Sequence, residues 1–312
     1  MKVIARLEDH PRTDCLAVVI NCGTKWVSSL AVVSLLRNTS APVLVINCES
    51  RDGSDRHFTR FASNNGLGFS WLEWPLRPHA DALDGLFRAV PSSTVLLCDS
   101  DVEVRTRTVY DALCTSLEGN AGAYGAGFLH GPAWLGPEQG WPDHVAYYAA
   151  RMWIPFVMLR TEVIRSALSA HASFAAQRLS NEFPQHQKLG RALGLRYRIN
   201  GLRRIRFIQR TACAYPIDGE CPAFVEFDTG ATLHRALVER GRPFEALPDT
   251  LWGSVHHYHG VTRSGLTSRV RRIANQAGII SSNDPVHDGA MDVEVRRRLE
   301  IVYGMTLDGL DV

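Results

Sequence analysis

Ser93-Thr94-Val95-Leu96-Leu97-Cys98-Asp99-Ser100-Asp101 is the stretch on which the reading of this chain turns. Ser93 to Cys98 has the length and apolar content of a buried strand. Residues leaving the carboxyl end of such a strand in an open α/β sheet point into the crevice where ligands bind. Two carboxylates one residue apart, once buried, repel each other and need a partner. A hard divalent cation is the usual one, and it can in turn hold a diphosphate. The same three residues also suit a plain turn that caps a following helix, because Asp and Ser favour such positions.

Upstream of this stretch, strand and helix signals alternate. Cys15 to Asn21 reads as a strand and Trp26 to Arg37 as a helix, with apolar residues at Val27, Leu30, Ala31, Val33 and Leu35. Pro42 to Cys48 is the next strand, followed by a polar turn from Glu49 to Asp55 and a helix through Phe58 and Phe61. Phe69 to Trp74 predicts a third strand and Ala80 to Val90 a short helix. This alternation is the signature of a parallel sheet with right-handed crossovers.

Composition narrows the class. At 312 residues, 45% hydrophobic and 21% charged, the chain has the make-up of a globular protein. A formal net charge of +2 gives no ground for nucleic acid or membrane attraction. Seven cysteines (Cys15, Cys22, Cys48, Cys98, Cys114, Cys213, Cys221) include no Cys-x-x-Cys pair, which argues for a reducing compartment and against zinc. Met1 to Cys15 lacks the apolar core of a signal peptide, and no stretch approaches the length of a membrane span. A cytoplasmic location is the expectation.

Beyond Arg105 the pattern loosens. Gly119 to Gly140, rich in glycine with Tyr124, Phe128, His130 and Trp134 interspersed, reads as a long loop able to act as a lid. Trp153 to Arg160 predicts a strand and Thr161 to His171 a helix. Arg203 to Arg210 reads as an exposed edge strand guarded by arginines, with an acidic acceptor or a membrane surface as the other reading. Thr229 to Arg240 predicts a helix stopped by Gly241, and Asp292 to Tyr303 a final helix.

Four segments, in order, resemble glycosyltransferases of the GT-A fold, especially the inverting family 2 type. They are Val18 to Gly23, Val45 to Ser54, Asp99-Ser100-Asp101, and a late set comprising Phe227-Asp228-Thr229-Gly230, Pro248 and His256-His257-Tyr258-His259-Gly260. The resemblance implies an α/β fold with a Rossmann-like, mostly parallel central sheet flanked by helices and an acceptor-side extension. Residues 1–105 would form the nucleotide-sugar-binding half of one domain, and 106–312 the acceptor-binding and catalytic half with a C-terminal helical segment.

It further implies a hexosyltransferase-like enzyme that moves a sugar from a nucleoside-diphosphate sugar to an acceptor hydroxyl, with inversion. Asp99 and Asp101 would meet a divalent metal, and His257 matches a late histidine ligand, with His256 and His259 as alternatives. A neutral imidazole among the ligands favours Mn²⁺ over Mg²⁺. Asn21, Gly23, Asn47, Glu49, Asp52, Asp99 and Ser100 would line the nucleotide. Asp228, with Glu226 as rival, would take the acceptor's proton, although Asp-Thr-Gly before a helix is also a good N-cap. Asn47 stands where the family commonly has an aspartate, so Glu49 or Asp52 would take over the base contact.

Two other enzymes and one non-enzyme compete with this reading. A sugar-nucleotide nucleotidyltransferase shares the sheet, but the turn Asn21 to Lys25 is thin for cradling a triphosphate. An Asp-x-Asp phosphatase carries its carboxylates after the first strand, earlier than Asp99. A catalytically inactive GT-A nucleotide-binding module would have no need of metal ligands.

Overall fold

The computed structural model describes residues 1–50, 52–135, 146–180, 206–209, 217, 222, 224–258 and 289–310. The chain opens with β1 (Lys2–Ile4), β2 (Cys15–Asn21), α1 (Lys25–Asn38), β3 (Val43–Cys48), α2 (Ser54–Asn65), β4 (Ser70–Trp74), α3 (His79–Ala89) and β5 (Thr94–Asp99). It continues through β6 (Val102–Val104), α4 (Arg107–Gly119), β7 (Gly125–His130), β8 (Ala133–Leu135), β9 (Ala146–Tyr148), β10 (Arg151–Arg160) and α5 (Thr161–Ser169). There follow β11 (Gln177–Ser180), β12 (Arg206–Gln209), β13 (Phe224–Phe227), α6 (Ala231–Val238), β14 (Phe244–Ala246), β15 (Val255–His257) and α7 (Gly289–Ile301).

The fold is α/β, built on an eight-stranded, mostly parallel central sheet flanked by helices, with strand order β1-β4-β3-β2-β5-β10-β7-β14. Pairing is parallel from β1 through β5 and turns antiparallel at β10. The continuous apolar runs that marked these strands have a direct cause: both faces are covered. Ala17, Val19, Val45 and Leu96 pack into one layer with Phe58, Val109 and Leu113. Their neighbours Leu16, Val18, Leu44 and Leu97 face the other layer with Leu86, Phe87 and Ile164. Strand alternation therefore sends apolar side chains both ways.

Helix α1 is buried from Trp26 to Leu35. It lies between the sheet and α7, whose Val295 and Leu299 pack with Trp26, Leu30 and Phe61. A helix covered on two sides has no polar face to keep. No helix among the described residues is long and apolar enough to cross a membrane.

The stretch from Gly119 corrects the expectation of a long loop or lid, at least as far as Leu135. Gly125–His130 is strand β7, paired with β10 and β14, and Ala133–Leu135 is β8. Residues 136–140 lie outside the described residues. The glycines mark close approach rather than looseness. A Cβ at Gly125 would stand 2.5 Å from Leu159 Cδ2 and 2.8 Å from the Met158 carbonyl oxygen.

Strand β12, as expected of the arginine-rich stretch, is at the edge of a second, five-stranded sheet ordered β12-β11-β13-β9-β8. Arg203, Arg204 and Arg210 lie outside the described residues. A two-stranded ribbon pairs β15 with β6.

Candidate functional site

Strands β2, β3 and β5 end together. Register pairs Asn21 with Asn47 and Ile20 with Asp99, which brings Asn21, Asn47 and Asp99 to one edge of the sheet. Asn21 is wholly buried and donates to Asn47 Oδ1 at 2.7 Å and to the hydroxyls of Ser50 and Ser54 at 3.0 Å. Its own carbonyl oxygen accepts from the Ser28 and Thr24 hydroxyls, at 2.8 and 3.0 Å. Asn47, also buried, donates through Nδ2 to both carboxylate oxygens of Glu73, at 3.1 and 2.9 Å. The amides of this pair are thus held by neighbours, and they shape the edge.

Around them stand other members of the predicted nucleotide set. Gly23 adopts a left-handed φ of +69° and donates its amide to Ser50 Oγ at 2.9 Å. Asp52 accepts from the amides of Lys25 and Ser54, at 3.2 and 3.1 Å, and so joins the starts of α1 and α2. Glu49 takes a positive φ of +47°, uncommon outside glycine, and its carboxylate accepts from the Leu76 amide at 3.3 Å. Ser100 is buried beneath the turn, its hydroxyl 3.2 Å from that of Thr24.

The acidic pair occupies the turn between β5 and β6. Asp99 retains a quarter of its side-chain exposure and lies 3.5 Å from His79 Nε2, at the first residue of α3. Burial pushes the Asp99 carboxyl up; the His79 side chain opposes this, and the nearby Asp101 carboxylate adds to it. Asp101 is only 2% exposed. Its Oδ1 is buried without a hydrogen bond, and His257 Nε2 approaches it at 3.2 Å, an ionic contact.

Strand β15 delivers that histidine. His257 faces Val102 and His256 faces Glu103 across the ribbon, and the Tyr258 amide donates to the Asp101 carbonyl at 2.8 Å. Successive strand residues point to opposite faces. His257 therefore meets Asp101, while His256 packs edge-on against Tyr258, its pKa lowered by burial and by Arg105. Burial would also lower His257, but the contact with Asp101 and the charges of Asp101 and Asp99 outweigh it and raise its pKa. His259 lies outside the described residues. The late histidine thus comes from a strand that runs as far as His257.

Asp228 and Glu226 belong to the second sheet. Glu226 is on β13, in register with Tyr148 and Arg178. Asp228 follows the strand, half-exposed, with Arg151 Nε 3.3 Å from its Oδ2 and the Thr229 amide 2.7 Å from its Oδ1. The N-cap of α6 is Gly230, left-handed at φ +83°, so Asp228 is not the helix cap.

Between Asp228 and Asp101 runs a wall of rings that the sequence did not single out as a unit. Arg151 pairs in register with His130, and the His130 ring lies 5.8 Å from Trp252. Trp252 lies 4.8 Å from Trp153, and Trp153 lies 5.7 Å from His257. His79, Arg151 and this wall carried no local motif. Only Pro78 before the helix start hinted at the position of His79.

Among the described residues no group of three or more His, Cys, Asp or Glu donors already converges as a metal cage. The donor types nonetheless suit a divalent cation: a buried carboxylate oxygen without a hydrogen bond, the His257 imidazole 3.2 Å from that same oxygen, and the nearby Asp99 carboxylate.

No family model matches the chain, and no curated protein matches it. Solved structures overlap it in part. TarS 1–349 of S. aureus in complex with UDP-GlcNAc is 13% identical, with a TM-score of 0.36 over 52% of this chain and 49% of that one. Glucosyl-3-phosphoglycerate synthase of Mycobacterium tuberculosis, in complex with Mn²⁺, UDP and phosphoglyceric acid, is 14% identical, with a TM-score of 0.33 over 48% and 56%. The bifunctional IspDF of Campylobacter jejuni is 12% identical, with a TM-score of 0.35 over 64% and 50%. The chain spans about half the length of these structures, and overlap this loose assigns the site no chemistry.

Proposed function

We propose that this chain is a glycosyltransferase that binds a nucleoside-diphosphate sugar at the edge formed by β2, β3 and β5 and transfers the sugar to an acceptor hydroxyl with inversion. The observation that carries the reading is Asp101: a buried carboxylate with an oxygen that no hydrogen bond satisfies, beside the half-buried Asp99. A buried polar atom left in this state is costly unless something outside the chain completes it. Asp101, Asp99 and His257 are the residues that would hold a divalent cation, Mn²⁺ in preference to Mg²⁺ because an imidazole is among them. When bound, such a cation supplies Lewis-acid neutralisation of the charge that gathers on a departing diphosphate.

The remaining roles belong to the chain itself. Gly23, Glu49, Asp52 and Ser100 border the nucleotide, and the Asn21–Asn47 pair holds that border in shape. Asp228 takes the proton from the acceptor hydroxyl, with Arg151 orienting its carboxylate; Glu226 is the rival. Residues 1–105 serve the donor and 106–312 the acceptor, apart from β15 and α7, which return to the donor side.

Calorimetric titration with UDP, GDP and dTDP, each with and without Mn²⁺, tests the reading. Binding of one diphosphate only in the presence of metal is the expected result and identifies the donor base. If none binds under either condition, Asp99-Ser100-Asp101 is a structural turn and the proposal falls.

A further inference from the structure

Two residues after Asp101, Glu103 is wholly buried, yet it is surrounded by donors. Arg298 donates to its Oε1 through both Nε, at 3.1 Å, and Nη2, and Tyr303 donates its hydroxyl to the same oxygen at 2.9 Å. Tyr258 donates its hydroxyl to Oε2 at 3.2 Å, and Arg105 Nε approaches that oxygen at 3.4 Å. Arg298 is on α7 and Tyr303 just beyond it, roughly two hundred residues away in sequence, whereas Tyr258 directly follows the strand that carries His257.

This hub is more than helix docking requires. Val295, Leu299, Tyr303 and Met305 already pack α7 and its tail against α1 through Trp26, Leu30 and Val33. Apolar packing generally docks a helix as well as a buried ion pair does, because desolvation offsets much of the ionic attraction. What the ionic hub adds is a fixed position. It ties α7 to one side chain of β6, which directly follows Asp101 and pairs with β15, the strand of His257.

We propose that Glu103 is a positioning residue for the acidic pair: through Arg298, Tyr303 and Tyr258 it clamps the β6–β15 ribbon in place, so that this ionic hub, and not the apolar docking of α7, is coupled to nucleotide binding at Asp99 and Asp101, each strengthening the other. The inference rests on the nucleotide reading of the site. Coupling of this kind is reciprocal: whatever weakens the clamp weakens nucleotide binding, and bound nucleotide tightens the clamp.

The test uses the full chain in three variants. Arg298→Gln removes the charge that meets Glu103, Arg298→Lys restores it, and Leu299→Ala opens the apolar interface of α7 without touching the hub. Affinity for Mn²⁺ with UDP, GDP and dTDP is measured well below each melting temperature, together with hydrogen exchange at the Tyr258 amide. The expected result is about tenfold weaker diphosphate binding and faster Tyr258 exchange in Arg298→Gln. Partial recovery is expected in Arg298→Lys, and wild-type values of both in Leu299→Ala despite its lower melting temperature. Wild-type affinity and exchange in Arg298→Gln overturn the clamp, as does an equal loss in Leu299→Ala. If the wild-type chain binds no diphosphate, the nucleotide reading fails by itself; the exchange comparison between Arg298→Gln and Leu299→Ala then upholds or overturns the clamp.

Discussion

Asp101 and Glu103 are two residues apart, both acidic and both buried, and the structure treats them in opposite ways. Glu103 meets two tyrosine hydroxyls and the guanidinium groups of two arginines, and burial is outweighed: its pKa is lowered by the bonds from Arg298 and Tyr303. Asp101 keeps an oxygen without a hydrogen bond and an imidazole at ion-pair distance. A carboxylate with its donors in place belongs to the scaffold. On the reading proposed above, the one left short of them is where a ligand would complete the protein.

The contrast is broken first by substitution. Asp101→Asn should remove metal-dependent diphosphate binding and lower transfer by about a thousandfold, the equivalent of roughly 4 kcal/mol of transition-state stabilisation. The melting temperature should stay level or rise, since a buried charge short of partners is lost. Unchanged turnover in this variant would move the site elsewhere.

Glu103→Ala should do the reverse to stability. Leaving Arg298 without its buried partner costs about 3 kcal/mol, read as a lower urea midpoint. A melting curve like the wild type would show that the hub contributes nothing. A third carboxylate sharpens the picture. Asp228→Asn should cut kcat about a hundredfold while leaving diphosphate affinity intact, as loss of a general base does. Should Glu226→Gln abolish transfer and Asp228→Asn spare it, the proton goes to Glu226.

The smallest effect is on the pH dependence of stability without metal, and it differs in sign between the two kinds of carboxylate. Glu103 has a lowered pKa, so between that value and the unfolded one near 4.5 the unfolded chain holds the proton. Its contribution is present above pH 4.5 and lost as pH falls through the folded value. Asp99 has a raised pKa, so between the unfolded value of 3.8 and the folded one the native chain holds the proton, and stability declines as pH rises through that window. Urea unfolding across this range should lose its acid limb in Glu103→Gln and its alkaline-going decline in Asp99→Asn.

Much of the first half of the fold is legible in the chain. Cys15–Asn21 and Val43–Cys48 announce themselves because a strand covered on both faces must be apolar throughout, and Gly and Asp turns bound them. Gly125–His130 is not legible in this way: its glycines look like a loop until Leu159 and the Met158 carbonyl are seen pressing on Gly125. Asp228, in Asp-Thr-Gly before a helix, reads as a base candidate or as a cap, and only the fold shows Gly230 in the cap place and Arg151 beside the carboxylate.

By itself, then, the sequence determined the α/β class, the order of strands and helices from Cys15 to Asp99 and the placing of Asp99 and Asp101 at a strand end, because these follow from local periodicity and residue type. The short β1 strand, Lys2–Ile4, carried no such signal. Tertiary structure alone decided which carboxylate is satisfied and which histidine faces it. The partners of Glu103 come from Arg298 and Tyr303 at the far end of the chain, and the choice of His257 over His256 depends on a one-residue register against β6. Neither distance nor register is written in local pattern, because both arise only when remote segments pack against one another.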